Sequence, residues 1–506
     1  MKDFDDAGAD ADAVALSDLV SDSSSGPDGY ARIDAADALW IGLSKGCAAG
    51  FQDLSALWYD DGRMHMALSD ATARKRAIAS LRLSGDASYP SVSLRHKPAM
   101  RLERAMRDLY GVTPLGLPDE RGWLDHGVWP SRDEQNEKGY AFLAVEGSGL
   151  HQIPVGPVHA GIIEPGHFRF TANGESVVRL EERLGYVHKG VESLCAGASI
   201  EKAGKIAARI SGDSTAAYSF AFARAVESAL GWEVPARATL LRGVMAELER
   251  LANHIGDVGG ICNDAAVIVI LANCSIIRED ILQTNARCFG HRLIMDRIVP
   301  GGVNADLTRE ASNAILELLK RIETQFAIIA KAYDQSPSLQ NRTVGTGFVE
   351  PAFVREFAAG GPVGRASGRA FDARAAFPYP PYAAVSFKAP TRETGDVDGR
   401  VRVRIGEVAQ SLFIIRQLLA KLKPGPIFAP PPPLKPGEAA ALVEAFRGDL
   451  FLAVRLGEDG KVAHLHARDA SWFQWPLLET AIKGNIVADF PLCNKSFNCS
   501  YSGADL

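Results

Sequence analysis

The segment RATLLRGVMAELERLANHIGDV constrains the fold most. Its apolar residues Leu241, Val244, Met245, Leu248, Leu251 and Ile255 recur every three or four positions, so they share one face of a long helix. Such a face needs other helices to cover it. Residues 190–336 keep this spacing and should form a helical bundle that holds the main core. The following GGPVGRASGRAFDARAAFPYPPY is too rich in Gly and Pro for regular helix and reads as loop lying on the bundle. A further helix is expected over residues 404–423. The proline run after it, KPGPIFAPPPPLKPG, is a stiff connector with few amide donors for a sheet.

The flanks read differently. Residues 30–133 mix alternating and amphipathic stretches, as in SALWYDDGRMHMAL, and suit a small α+β module. Between residues 134 and 183, YAFLAVEG, FRFTANGE and SVVRLEERLGYV are strand-like and separated by turn residues, which predicts a small antiparallel sheet. FLAVRLGEDGKVAHLHAR returns to strands with a turn at Glu458-Asp459-Gly460, and a short helix is expected over 472–483. The fold class is therefore α+β: a small N-terminal α+β module, then a helical bundle with small peripheral sheets. The expected limits are 1–29 for a disordered acidic tail, 30–133 for the module and 134–506 for the main domain. The main domain divides into a β-rich entry at 134–189, a helical core at 190–423 and a C-terminal region at 424–506.

Composition removes several functions. The chain is 47% hydrophobic and 23% charged with a net charge of -6, so it lacks the basic field of a nucleic-acid binder. It has no P-loop, and no G-x-G-x-x-G follows a strand, so direct nucleotide binding is not expected. The start of the sequence lacks a basic segment followed by an apolar one. The longest apolar run, at 265–273, falls short of the roughly 20 residues that span a bilayer and reads as a buried core helix. Any membrane role should come through partners. The seven cysteines include no C-x-x-C pair, which suits buried thiols in a reducing compartment.

Longer segments carry a resemblance. GPVHAGIIEPGHFRFTANGESVVRLEERLGYVHKGVESL, RISGDSTAAYSFAFARAVESALGWEVP, NRTVGTGFVEP, GRASGRAFDAR, GDVDGRVRVRIGEVAQSL and the terminal DFPLCNKSFNCSYSGADL resemble the large subunit of group 4 NiFe hydrogenases and the related D-type quinone-site subunit of NADH-quinone oxidoreductase. LERAMRDLYGVTPLGLPDERG is similar to the signature of the C-type subunit of the same complex. A C–D fusion of this kind resembles the large subunits of formate hydrogenlyase and hydrogenase-4.

The resemblance implies a site that has lost its metal. The family holds nickel and iron with four thiolates from two C-x-x-C pairs, soft ligands suited to these metals. Here the early pair reads Ser211 and Ser214, and the late pair falls on Ser500 and Gly503. A register shift of one residue leaves Cys499 as the remaining candidate thiol. With the printed sequence ending at Leu506, we expect no extension for maturation to trim. No metal or cofactor is expected on this chain.

The same resemblance assigns the other candidates. Glu164 matches a proton-relaying glutamate and His159 a loop histidine that lines the quinone cavity in the D-type subunit, with Arg209 and Asp213 beside the early pair. His188 with Glu192, His254 with Glu247 and Arg250, and Arg365 with Asp372 and Arg374 match positions around the site or at the iron–sulfur interface. His188 and Glu192 also suit a helix i,i+4 pair, and Arg250 and His254 the solvated edge of an amphipathic helix.

The implied setting is the cytoplasmic side of the inner membrane. The implied partners are a small B-type subunit carrying a 4Fe–4S cluster, antiporter-like membrane subunits and an H-type membrane subunit, with a quinone or similar electron acceptor and coupling to ion translocation. A non-catalytic scaffold and an active NiFe hydrogenase are the competing readings.

Overall fold

The computed structural model describes residues 11–21, 25–127, 129, 140–159 and 163–506. The N-terminal module contains α1 (Leu16–Leu19), β1 (Ala31–Ala35), α2 (Asp37–Ala48), β2 (Asp53–Asp60), β3 (Arg63–Asp70), β4 (Lys75–Arg82), β5 (Ser88–Pro90), α3 (Met100–Tyr110) and β6 (Thr113–Leu115). Its four-stranded sheet has the order β1-β4-β3-β2, with β1 parallel to β4 and the others antiparallel. The β2–β3 turn is Asp61-Gly62, both at positive φ, the pairing that matches strand twist in a two-residue hairpin.

One reading of the tail is corrected. In residues 11–21, Leu16 and Val20 are buried, and the Leu16 amide donates to Gln52 Oε1 at 3.0 Å. Two apolar side chains and a long-range hydrogen bond make this segment part of the module. Residues 1–10 and 22–24 of the expected tail, and the expected boundary at 133/134, lie outside the described residues.

The β-rich entry is the antiparallel sheet β7 (Leu150–Val155), β8 (His167–Asn173) and β9 (Ser176–Arg183), in that order. Its first strand is LHQIPV. The predicted YAFLAVEG strand is instead irregular, because side chains take its backbone groups: Arg179 donates to the carbonyls of Leu143 and Ala144, and Glu181 accepts from the Leu143 amide.

The bundle comprises α4 (Val191–Cys195), α5 (Ile200–Ala207), α6 (Thr215–Leu230), α7 (Ala236–Asp264), α8 (Ile268–Phe289), the short ribbon β10 (Ile298–Val299) and β11 (Gly302–Val303), α9 (Arg309–Asp334), α10 (Pro337–Thr343), α11 (Pro351–Glu356), α12 (Gly361–Ala366), α13 (Ala373–Ala376) and α14 (Val397–Lys421). The periodic stripe of α7 is fully buried and packs against α8 and α14. α14 starts where the Asp396 carboxylate accepts from the Gly399 amide at 2.7 Å, an N-cap. The apolar run entering α8 is no core segment: Ile268 and Val269 are each 66% exposed, while Ile270, Cys274 and Ile277 face inward. Among the described residues no helix is long and apolar enough to cross a membrane.

The C-terminal region forms the meander β12 (Gly437–Ala445), β13 (Gly448–Leu456) and β14 (Val462–Arg468), then α15 (Ser471–Ala481), α16 (Phe490–Phe497) and α17 (Tyr501–Asp505). β12 and β13 lie across α6. One continuous apolar cluster runs from the N-terminal module through β8, β9, β12, α15 and α16. Polar ties cross the same seam: Arg455 pairs with Asp60 at 2.6 Å, Arg369 with Asp53 at 2.6 Å, and Asp28 accepts from the Ala440 amide.

Candidate functional site

The expected ligand positions converge. The loop before α6 carries Ser211, Asp213 and Ser214. Glu249 of α7 accepts from the Ala216 and Ala217 amides at 2.7 and 3.1 Å, satisfying donors that a capping side chain normally takes. Ser214, which makes no cap bond, donates to Asp213 Oδ1 at 3.2 Å instead. From the C-terminal side, the Ser500 hydroxyl caps α17 by accepting from the Gly503 amide, and it lies 2.9 Å from the Ser211 hydroxyl. Ser211 also donates to Asp213 at 2.9 Å.

The third wall is the β12–β13 turn. It delivers Arg447, whose guanidinium grips both Asp213 oxygens at 2.7 and 2.6 Å and donates to the Asn498 carbonyl. The turn comes this close because Gly448 sits at φ +135° against Gly360 and Gly361, where a Cβ would meet backbone at 2.9 Å. Burial pushes the Asp213 carboxyl up, but the Arg447 charge and the hydrogen bonds from Arg447, Ser211 and Ser214 outweigh it and hold it at about 2.

This arrangement does not fit a nickel–iron centre. The positions facing one another carry hydroxyls that bond each other. A Cβ on Gly503 would meet the Asp469 carboxylate and the Ser500 hydroxyl at 2.9 Å. Asp469 is fixed there by Tyr218 and Ser471, at 2.7 and 2.6 Å. Cys499 is buried with its sulfur 3.9 Å from Gln474 Oε1, and burial pushes its thiol far above the usual range, so it offers no thiolate. Among the described residues no group of His, Cys, Asp and Glu is placed to hold a metal ion.

Residues 264–436 match the respiratory-chain NADH dehydrogenase 49 kDa subunit family, and residues 43–141 match the 30 kDa subunit family. Formate hydrogenlyase subunit 5 of Escherichia coli is 31% identical over 82% of this chain and 77% of its own length. The chain belongs to this family of complex I 49 kDa subunits and hydrogenase large subunits. The fused C/D-type subunit of NADH-quinone oxidoreductase from Phocaeicola vulgatus is 27% identical over 76% of this chain and 80% of its own. A chain in the structure of the archaeal membrane-bound sulfane sulfur reductase superposes with a TM-score of 0.67 at 26% identity, covering 71% of this chain and 99% of that one.

Against the family expectation, several residues are displaced. Arg209 points to the surface, 47% exposed, and pairs with Asp296 at 2.7 Å, whereas the partner of Asp213 is Arg447. His188 bonds the Asp505 carbonyl through Nδ1 at 2.7 Å, while Glu192 accepts from Tyr110 and from His466 Nδ1 at 2.7 Å, so the two form no helical pair. His254 presents neither an interface nor a solvated edge. It is fully buried and bonded to Glu407.

His254 belongs to a buried charge network that joins Arg365, Asp372 and Arg374. Arg365 meets Glu407, Glu444 at 2.9 Å and Asp372 at 3.5 Å; Arg374 meets Asp372 at 2.7 Å and Glu247 at 2.9 Å. Arg250 lies 3.4 Å from Glu247 and donates to the Ala445 and Glu444 carbonyls. The network therefore clamps the hairpin that presents Arg447.

His159 and Glu164 stand at the outer side of the cluster. His159 Nε2 lies 2.8 Å from the Gly166 carbonyl, which only accepts, so Nε2 carries the proton and Nδ1 is the basic nitrogen. Glu164 is exposed and accepts from the Ser502 amide at 3.0 Å, tying its loop to α17.

Asp505, the final Asp of the terminal motif, has no role assigned to it by the sequence. Burial pushes its carboxyl up to about 7 despite the Val187 and Gly185 amides. With the folded value raised, its contribution to stability is fully present below about pH 4 and is lost as pH rises toward 7, at about 1.4 kcal/mol per unit. Asp505→Asn should flatten that part of the curve, read as the denaturant midpoint at pH 4.5, 6 and 7.5. An unchanged slope would remove Asp505 from the account.

Proposed function

We propose that this chain is the large subunit of a membrane-associated complex I-like or hydrogenase-4-like redox complex whose nickel site has been converted to a hydrogen-bonded polar cluster, and that it takes part in electron transfer to a quinone or similar two-electron acceptor. The observation that carries this reading is the contact between the Ser211 and Ser500 hydroxyls, closed over by the Asp213–Arg447 pair. A 4Fe–4S cluster in a small partner subunit supplies the electrons. Antiporter-like and H-type membrane partners couple the transfer to ion translocation, with this chain peripheral on the cytoplasmic side.

Reduction of a quinone to a quinol takes two electrons and two protons. His159 is suited to deliver one of the protons from Nδ1 once it is imidazolium, since its neutral form offers no proton on that side. Glu164 is placed to move a proton between solvent and the loop.

Two measurements test the reading. The purified complex should hold no stoichiometric nickel and should not reduce a dye with hydrogen; nickel with hydrogen-dependent reduction would make it a hydrogenase. His159→Ala and Glu164→Gln should each slow electron transfer by roughly 100-fold or more. Unchanged turnover in both would leave only a scaffold.

A further inference from the structure

An open cavity lies apart from the serine cluster. It is a cleft of about 770 Å³ between α5, α6, β10, the proline-rich connector and the β13–β14 turn. Its walls are mainly apolar, from Phe222, Trp232, Ile298, Phe428, Pro432 and Leu434. The size falls within the range of small-molecule sites, roughly 300–1,000 Å³.

Three observations define what would fill it. The charges at its edge are already neutralised: Lys205 with Glu201 at 2.7 Å, Asp296 with Arg209 at 2.7 Å, and Lys461 with Asp459 at 3.1 Å. An ionic headgroup would therefore meet no uncompensated charge there. In the wall, Ser219 is 4% exposed and its hydroxyl bonds no other described residue, so it is an unpartnered polar group held against the cavity. The indole N–H of Trp232 also lacks an acceptor among the described residues. The cleft is built into the packing as well, since Phe222 is held under Gly204, where a Cβ would meet its ring at 3.1 Å.

We infer that this cleft binds an uncharged amphiphile: a hydrocarbon chain ending in one hydroxyl or ester oxygen that pairs with Ser219. An acyl ester and an isoprenoid alcohol share this chemistry. The site is independent of the serine cluster and stands whether or not that cluster carries redox chemistry.

The test uses the protein purified with its accompanying subunits and a diazirine-bearing decanol as photolabel. Saturable labelling should map to the peptides holding Phe222 and Phe428. Monodecanoylglycerol should compete at least tenfold better than decanoate. Ser219→Ala should weaken binding roughly 3- to 10-fold, the value of one hydrogen bond. Leu434→Trp, at a residue 53% exposed on the rim, should block entry without disturbing the core. Farnesol competing better than monodecanoylglycerol would assign an isoprenoid occupant, and the reverse an acyl one; either supports the site. No saturable label, label indifferent to both substitutions, or decanoate competing equally would overturn it.

Discussion

Arg365→Met should cost the fold about 3–5 kcal/mol or prevent it from forming. Arg365 has no exposed surface and is the meeting point of Glu407, Glu444 and Asp372. Without its charge, three buried carboxyls face one another with their nearest shared counter-ion gone. The nearby Arg250 and Arg374 are already committed, to Glu247 and to Asp372. Burial and the Asp372 charge already push Glu444 up to about 7, so it is the member that would take up a proton. Glu444→Gln added to Arg365→Met should therefore restore part of the loss. Denaturant midpoints of the single and double variants measure this, and strict additivity would show that the carboxyls do not repel one another.

Arg447→Met should be the next most damaging change, about 2–3 kcal/mol. It removes the bidentate grip on Asp213, the bond to Ser214 and the tie to the Asn498 carbonyl. The loss should be smaller than at Arg365 because Asp213 keeps 37% of its side chain exposed and can recover water. The Asp213 carboxyl should rise from about 2 toward its ordinary value, so the variant should lose less stability than the parent when acidified from pH 5 to pH 2. Parallel acid titrations followed by circular dichroism would show it. A variant as acid-sensitive as the parent would mean that the pair does not hold the carboxyl down.

The parts of this molecule that are local in sequence were legible. The stripe of α7 announces its burial, and the resemblance picks out Ser211 and Ser500, distant in sequence, whose hydroxyls do meet. What long-range return creates was not legible. Arg447 and Asp469 reach the cluster only because β12 and β13 fold back over α6, and nothing near them in sequence marks them. GEAAALVEA, rich in Ala, Glu and Leu, carries no strand signal; it becomes β12 because β13 and α6 offer it a partner and a surface, and such context outweighs intrinsic preference. Arg250 and His254 misled for the converse reason. Charged residues on a helix suggest water, but here the Glu407 carboxylate of α14 and the Glu444 and Ala445 carbonyls at the end of β12 occupy the place where water was expected. The exposed Arg209 is the local exception, since an acidic partner at Asp296 drew it outward.

The seam between the N-terminal module and the rest has a consequence for how the molecule comes apart. Two segments match two different subunit families, yet Trp58 stacks on His466 and Phe451 packs on Tyr30 across the join. A chain cut between them would expose two torn halves of one interior, each sticky and neither complete. One chain thus supplies at fixed 1:1 ratio two parts whose apolar faces cover each other, which separately translated subunits would have to achieve by encounter.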